Sequence, residues 1–311
     1  MKDYVIMAGT ASFELGNAIA RKHDKELIVV DKKQFSDGEI FVKIEESIRG
    51  KDVYYIQSTS SPANDNLMEL LLTLDAIKRS SPGSITLVMP YFGYARQDRK
   101  TESRVPISAK LVADLIERVG INRLVTLDIH ADQIQGFFDS PVDNLYGVNI
   151  FIDSCVLNTE NTIIASPDAG GVGRARYFAK KLNINDLAII DKRREKANES
   201  EVMNVIGSVE GKHVVIIDDM VDTGGTLIKA AKAFKEHGAV SVKACITHGV
   251  LSGNAFKNFE EGKNYLDKLY ITNSIEQGLL PDNIEVIDSS DLFAEVIRRL
   301  VHNESISSLW R

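Results

Sequence analysis

Cysteine is nearly absent: Cys155 and Cys245 are the two in 311 residues, each in ordinary apolar sequence with no partner at metal-ligand spacing. That excludes a disulfide framework or a cysteine-built zinc site and suits reduced core thiols in a cytoplasmic compartment. Positive charge is in deficit, with 37 Lys and Arg against 44 Asp and Glu, a net charge of −7. A nucleic-acid surface, which needs a broad excess of cations, is not expected, so any anion site must be local. No window approaches the ~18 apolar residues of a membrane span. The apolar run near Met1 has strand length, too short for a signal-peptide core, so an intracellular protein is expected. No low-complexity linker and no Gly-x-x-x-x-Gly-Lys-Ser/Thr phosphate loop occurs. What is present, 44% hydrophobic and 26% charged residues, can bury a large core in two domains of ordinary size.

Short β-rich runs alternate with amphipathic stretches along the whole chain. Tyr4–Ala8, Val53–Gln57, Ile85–Pro90, Leu124–Asp128, Thr162–Ser166, Leu187–Asp191, His213–Asp218, Val242–Thr247 and Ile284–Ile287 read as strands. Phe13–His23, Asn66–Ser80, Ser108–Gly120, Arg174–Leu182, Thr226–His237 and Leu292–His302 carry apolar residues at helical spacing. This predicts an α/β fold of mainly parallel sheets with helices on both faces, divided at 1–145 and 146–311. Gly50–Ser58 matches Gly211–Asp219 in apolar pattern, and both lead through a loop into a helix. Duplication of one α/β unit and chance likeness of two buried strands both account for that match. If it is duplication, the first copy has Gln57 and Ser58 where the second has acids.

The second copy concentrates chemistry. Val214–Ile217 is a continuous apolar run ending in Asp218 and Asp219, followed by Asp222-Thr223-Gly224-Gly225-Thr226 and then a helical run. Ligands of open α/β sheets bind beyond the carboxyl ends of such strands. Two glycines let backbone N–H groups approach a phosphate, and the helix N-terminus adds partial positive charge. The acids cannot serve the same phosphate, since anion repels anion. They suit two vicinal sugar hydroxyls or a Mg²⁺ ion, so a sugar phosphate meets both halves of the loop. A helix cap alone would need one polar residue, not this set.

Other polar segments have two readings each. Arg96, Arg99 and Lys100 follow the strand Ile85–Pro90 and form either a solvated loop or a grip on phosphate oxygens. His130 and Asp168 end apolar strands and are either hydrogen-bonded structural residues or metal ligands. Asp191–Glu199 holds four cations without strand or helix periodicity, as a solvated loop or as a mobile cover for a polyphosphate.

With these residues in view, Val214–Thr226 resembles the ribose-phosphate loop of the phosphoribosyltransferase superfamily. Several separate motifs in the same order make the whole chain similar to the phosphate-activated class of ribose-phosphate diphosphokinases. The resemblance implies two phosphoribosyltransferase-like domains and transfer of the diphosphoryl group of ATP to ribose 5-phosphate with Mg²⁺. It implies sugar-phosphate binding by Asp218, Asp219, Asp222, Thr223, Gly224, Gly225 and Thr226. It implies ATP binding by Arg96, Gln97, Arg99, Lys100 and His130, with Phe35, Asp37 and Glu39 reaching the adenine of a neighbouring subunit. His130 and Asp168 would hold Mg²⁺, and Lys192 and Arg194 would be catalytic on a closing loop. Ser47, Arg49, Ser103, Arg104, Gln135, Asp143, Asn144, Ser305 and Ser307 match a site for activating phosphate and inhibitory ADP between subunits. A homo-oligomer, a hexamer built from dimers with shared active sites, is implied, as is a tail of about 298–311 packing on the first domain. Thr101 and Glu102 depart from the family's pattern, and an acid there lowers the local positive potential. A phosphoribosyltransferase that consumes the activated sugar, or a non-catalytic relative that regulates the enzyme, are the alternatives. The cationic Arg96–Lys100 segment disfavours the first and the uninterrupted Lys192–Arg194 segment the second.

Overall fold

Strand-forming runs rich in Val, Ile and Tyr alternate with amphipathic helices to build two units, described by a computed structural model over residues 3–154, 161–193 and 202–310. The first unit runs β1 (Tyr4–Ala8), α1 (Phe13–Lys22), β2 (Leu27–Val29), β3 (Asp31–Gln34), β4 (Ile40–Lys43) and β5 (Asp52–Ile56). It continues through α2 (Ala63–Arg79), β6 (Ser84–Met89), α3 (Ser108–Val119), β7 (Arg123–Leu127) and β8 (Val142–Leu145). The second begins α4 (Val148–Ser154), β9 (Thr162–Ser166), α5 (Val172–Lys181), β10 (Leu187–Arg193), β11 (Val202–Ile206) and β12 (His213–Val221). Next come α6 (Gly225–Glu236), β13 (Ser241–Gly249), α7 (Ala255–Glu261), β14 (Lys268–Thr272) and β15 (Ile284–Ile287). The chain then returns to the first unit, which takes Met1–Tyr146, Ser274–Glu276 and Asp288–Arg311, with α8 (Ser290–Val301) and α9 (Ser307–Trp310).

The first sheet has the order β2-β1-β5-β6-β7-β8, all parallel, with β3 and β4 as a separate antiparallel hairpin. The second has the order β11-β10-β9-β12-β13-β14-β15, parallel except for the β10–β11 pair. Setting β11 aside, the two orders are the same, with β3 and β4 in the first unit and β11 in the second falling at the same point of the chain order. Parallel neighbours need helical crossovers, which the amphipathic runs between the strands supply. The likeness of Gly50–Ser58 to Gly211–Asp219 thus corresponds to β5 and β12 holding one topological position.

Period-two burial shows how the core forms. Met7, Val53, Tyr55, Leu87 and Met89 lie in one buried cluster with Leu70, Leu74 and Ile77 of α2 and Val112 and Ile116 of α3. In the second unit Ile163, Val214, Ile216, Val242, Ala244 and Ile271 pack with Leu227, Ala230 and Phe234 of α6 and Phe259 of α7. Each large side chain so buried contributes about 1.5–3 kcal/mol. Cys245 is a buried cysteine of β13, while Cys155 lies outside the described residues.

At the carboxyl edge of its sheet the first unit fills itself. Gln57, Ser58, Thr59 and Ser60 are buried; Ser58 Oγ donates to the Ser274 carbonyl at 2.6 Å, and Gly93 N donates to Thr59 Oγ1 at 2.7 Å. In the loop after β1, Thr10 donates its N–H and hydroxyl to the fully buried Glu69 carboxylate, at 2.7 and 2.6 Å. Lys32 Nζ neutralises that carboxylate at 2.8 Å.

Candidate active site

The second unit keeps its edge open. Strand β12 pairs with β9 only as far as Ile216, opposite Ala165, yet stays paired with β13 through Val221, opposite Gly249. Asp218 and Asp219 therefore lie inside the strand, not at its end as the apolar run suggested. The register with β13 continues the strand while β9 has already stopped, which leaves the acids beside a missing neighbour. Asp219 is 4% exposed, Asp218 is half-buried, and Asp219 N donates to Asp218 Oδ1 at 2.9 Å.

The loop that follows is braced from α7. Ser252 Oγ donates to Asp222, and Asn258 Nδ2 donates to the Thr223 carbonyl at 2.8 Å. Gly224 caps α6 in the left-handed conformation, φ 76°, and a Cβ there would meet the Phe259 ring at 2.9 Å. Only glycine fits on both counts. Gly225 opens α6, so the first-turn N–H groups of this helix face outward beside the exposed Thr223 and Thr226. The loop leads directly into a helix, as expected. Its braces Ser252, Asn258 and Phe259 went unread, since α7 is short and buries only Ala255 and Phe259.

The loop after β9 adds a third acid. Ser166 Oγ donates to the Asp168 carbonyl at 2.6 Å, and Asp168 Oδ1 accepts the N–H groups of Gly170 and Gly171 at 2.9 and 3.1 Å. Arg174, in the first turn of α5, places Nη1 3.3 Å from Asp219 Oδ1 and 3.7 Å from Asp218 Oδ1. Burial, and then the adjacent Asp219, push the Asp218 carboxyl well above the ordinary range, with Arg174 opposing and Asp168 adding to the rise. Asp218 and Asp219 thus share the Arg174 guanidinium. Arg174 was not singled out from sequence, although a cation in a helix's first turn opposes the helix dipole and so calls for a local reason.

The other predicted residues are distributed as follows. Arg96, Gln97, Arg99 and Lys100 are exposed after β6; Gln97 is tied to the start of α3 by Ser108 Oγ at 2.5 Å, and Asp98 accepts from Gln133 Nε2 at 3.0 Å. Phe35 is 55% exposed at the β3–β4 tip with its ring 6.1 Å from Phe41, while Asp37 Oδ1 accepts the Glu39 N–H at 3.1 Å. His130 is exposed just past β7. Lys192 lies in β10 opposite Met203, which corrects the expectation of an irregular loop from Asp191 onward. Antiparallel pairing with β11 supplies the order that the local pattern lacks. Arg194 lies outside the described residues.

Of the positions matched to a regulatory site, Ser47, Arg49, Ser103 and Arg104 are exposed and Gln135 Nε2 donates to the Asp132 carbonyl at 3.0 Å. Asp143 is buried in an ion pair with Arg123, and its carboxyl is raised by burial against that pairing. Asn144 is buried, accepting from Ile129 N at 3.0 Å and donating to Asp132 at 3.2 Å. Helix α9, which contains Ser307, packs on β8, and Arg299 holds the Ser305 carbonyl at 3.0 Å.

A doubled parallel α/β unit with an acid pair and a glycine–threonine cradle at one strand edge defines a protein of phosphoribosyltransferase-like fold. Residues 4–120 match the model of the N-terminal domain of ribose phosphate pyrophosphokinase, and 192–311 that of the phosphoribosyl synthetase-associated domain. The chain is 55% identical over its whole length to the ribose-phosphate pyrophosphokinase of Campylobacter jejuni, covering 100% of each. It is also 55% identical to that of Helicobacter pylori J99, covering 97% of that relative. A crystal structure of phosphoribosylpyrophosphate synthetase from Mycobacterium smegmatis aligns at 38% identity with a TM-score of 0.89, over 97% of this chain and 100% of that one. The chain belongs to the ribose-phosphate pyrophosphokinase family.

Proposed function

We propose that this chain transfers the β,γ-diphosphoryl group of ATP to the anomeric hydroxyl of ribose 5-phosphate, giving 5-phosphoribosyl 1-diphosphate and AMP. The loop Asp218–Thr226 carries the reading: an N–H and hydroxyl cradle for the 5-phosphate stands a few residues from two carboxylates for the ring hydroxyls. The new bond joins the sugar oxygen to the β-phosphorus, and the bond from that phosphorus to the α-phosphate oxygen breaks. Little covalent work falls to protein groups in such a transfer, which needs in-line alignment and neutralised charge.

Arg96, Gln97, Arg99 and Lys100 are assigned to ATP; all four are exposed after β6. Phe35, with Asp37 and Glu39, is assigned to the adenine of a neighbouring subunit, a role that its exposed ring suits. Lys192 and Arg194 are assigned to the charge on the transferred group. Asp168, near the Asp218–Asp219 pair, offers a hard oxygen donor that suits a divalent cation. Among the described residues no three protein groups converge to hold a metal unaided, so water and substrate phosphate would complete the shell. Asp168 and His130 are the proposed ligands, the imidazole the weaker for a hard ion. Mg²⁺ bound there supplies neutralisation of phosphate charge.

The regulatory positions Ser47, Arg49, Ser103, Arg104, Gln135, Asp143, Asn144, Ser305 and Ser307 are assigned to phosphate and ADP in a hexamer of dimers. Packing of α9 on β8 supports the grouping of the last four, although Asp143 and Asn144 spend their side chains on internal bonds. Domain limits near residues 145 and 146 and a cytoplasmic location belong to the same reading; no described helix is long and apolar enough to cross a membrane. A ³¹P NMR time course with ATP, Mg²⁺ and ribose 5-phosphate tests the function. AMP and a sugar diphosphate ester should appear together, and no turnover with or without added phosphate would overturn the reading.

A further inference from the structure

The acid pair poses a problem that the Asp219 N–H on Asp218 meets only in part. Adjacent carboxylates repel, and one of these is 4% exposed, where repulsion is poorly screened. A sugar hydroxyl asks more of them than charge: each acceptor oxygen must point in one direction. Free carboxylates on a strand edge would rotate about their terminal torsion, which is broad for Asp.

Arg174 answers both needs. Its guanidinium lies 3.3 Å from Asp219 Oδ1 and 3.7 Å from Asp218 Oδ1, touching the same oxygen of each. The side chain is 19% exposed and stands in the first turn of α5, where the helix dipole disfavours a cation. A guanidinium kept there at that cost is committed to the acids. We propose that Arg174 is a positioning residue for the sugar: by holding Asp219, and lying beside Asp218, it fixes the rotation of both carboxylates toward two vicinal ring hydroxyls. The proposal rests on Asp218–Thr226 being the sugar-phosphate loop. Arg174 acts through the carboxylates without touching substrate, and the cradle Thr223–Thr226 is braced independently by Asn258 and Phe259. Hydroxyl recognition and phosphate recognition are therefore separable.

The experiment is calorimetric titration of ribose 5-phosphate and 2-deoxyribose 5-phosphate, without ATP, into the wild-type chain and into Arg174→Met and Arg174→Lys, with thermal melts to establish folding. The wild type should favour ribose by about tenfold to a hundredfold, the range of one hydrogen bond to a charged group. In Arg174→Met the affinity for ribose 5-phosphate, which has two hydroxyl contacts to lose, should fall by more than that for the deoxy sugar, which has one, so that the ribose preference shrinks severalfold. Lys should restore part of the preference, since it supplies charge without the planar fork. Retention of the full ribose preference in Arg174→Met, or an equal fall for both sugars, overturns the positioning role. If the folded wild type binds neither sugar phosphate, the loop assignment itself falls and takes the proposal with it. If Arg174→Met does not fold, the comparison of Lys with wild type decides: an unchanged ratio refutes the role, a reduced one supports it.

Discussion

Replacing Gly224 by alanine should disable the sugar-phosphate loop by two additive strains that can be measured apart. At φ 76° a Cβ costs about 1–2 kcal/mol against the preceding backbone. The same Cβ would lie 2.9 Å from the Phe259 ring, and overpacking of this kind costs about 1–3 kcal/mol. The total, roughly 2–5 kcal/mol, appears as lower thermal stability if the loop holds its place. It appears as weaker ribose 5-phosphate binding if the loop gives way, at tenfold per about 1.4 kcal/mol. Melting and calorimetry on the same samples capture both. Shrinking the ring separates the strains: Phe259→Leu alone should cost about 1 kcal/mol, and in the double variant the contact strain goes while the backbone strain stays. The double-mutant cycle should fall short of additivity by at least about 1 kcal/mol. Additivity within about 0.3–0.5 kcal/mol would refute the contact argument, and a Gly224→Ala chain that binds and melts like the wild type would refute both.

Asp218→Asn should raise the melting temperature of the metal-free chain at pH 7 while abolishing ribose 5-phosphate binding. An acid held above its ordinary value costs stability once ionised, so the gain should shrink as pH falls through the raised value and vanish below 3.8. His23 joins α1 to α8, with Tyr4 Oη 3.0 Å from Nδ1 and the Ala294 carbonyl 3.0 Å from Nε2. Burial lowers its basicity against the Ala294 carbonyl hydrogen bond, with Lys25 and Arg298 adding to the effect and Asp24 opposing it. His23→Ala should therefore cost about 1–2 kcal/mol above pH 6.5, and urea unfolding should show the gap closing as pH drops through the lowered value. Lys192→Ala should slow turnover at least ~100-fold with ribose 5-phosphate affinity nearly intact, in steady-state and calorimetric assays; lost sugar binding would reassign the residue.

Apolar strands were legible residue by residue: Tyr4–Ala8 and Thr162–Ser166 are read with their observed bounds, as is the edge strand Ile284–Ile287, whose Glu285 and Val286 are exposed. Lys268–Thr272 and Val142–Leu145 were not, because their polar residues blur the pattern and neighbouring strands supply their order. Lys192 and Arg193 have a strand conformation borrowed from β11, which no local periodicity announces. In the site, the cradle was legible because glycines, threonines and acids are contiguous. The approach of Arg174 to Asp219, 45 residues away, depends on how α5 lies against β12. A helical residue's facing partner is a tertiary fact, visible in sequence only as a cation at an unfavourable helix position.

The Glu69 carboxylate held by Thr10 and Lys32 amounts to a receptor whose ligand is part of the chain. Such a receptor is saturated at every substrate concentration, since tethering keeps the local ligand concentration high and constant. The loop after β1 therefore keeps the same order in a starved cell and in a replete one. In the second unit the carboxyl edge of β12 is ordered instead by Arg174 Nη1 on Asp219 and by the Asp219 N–H on Asp218.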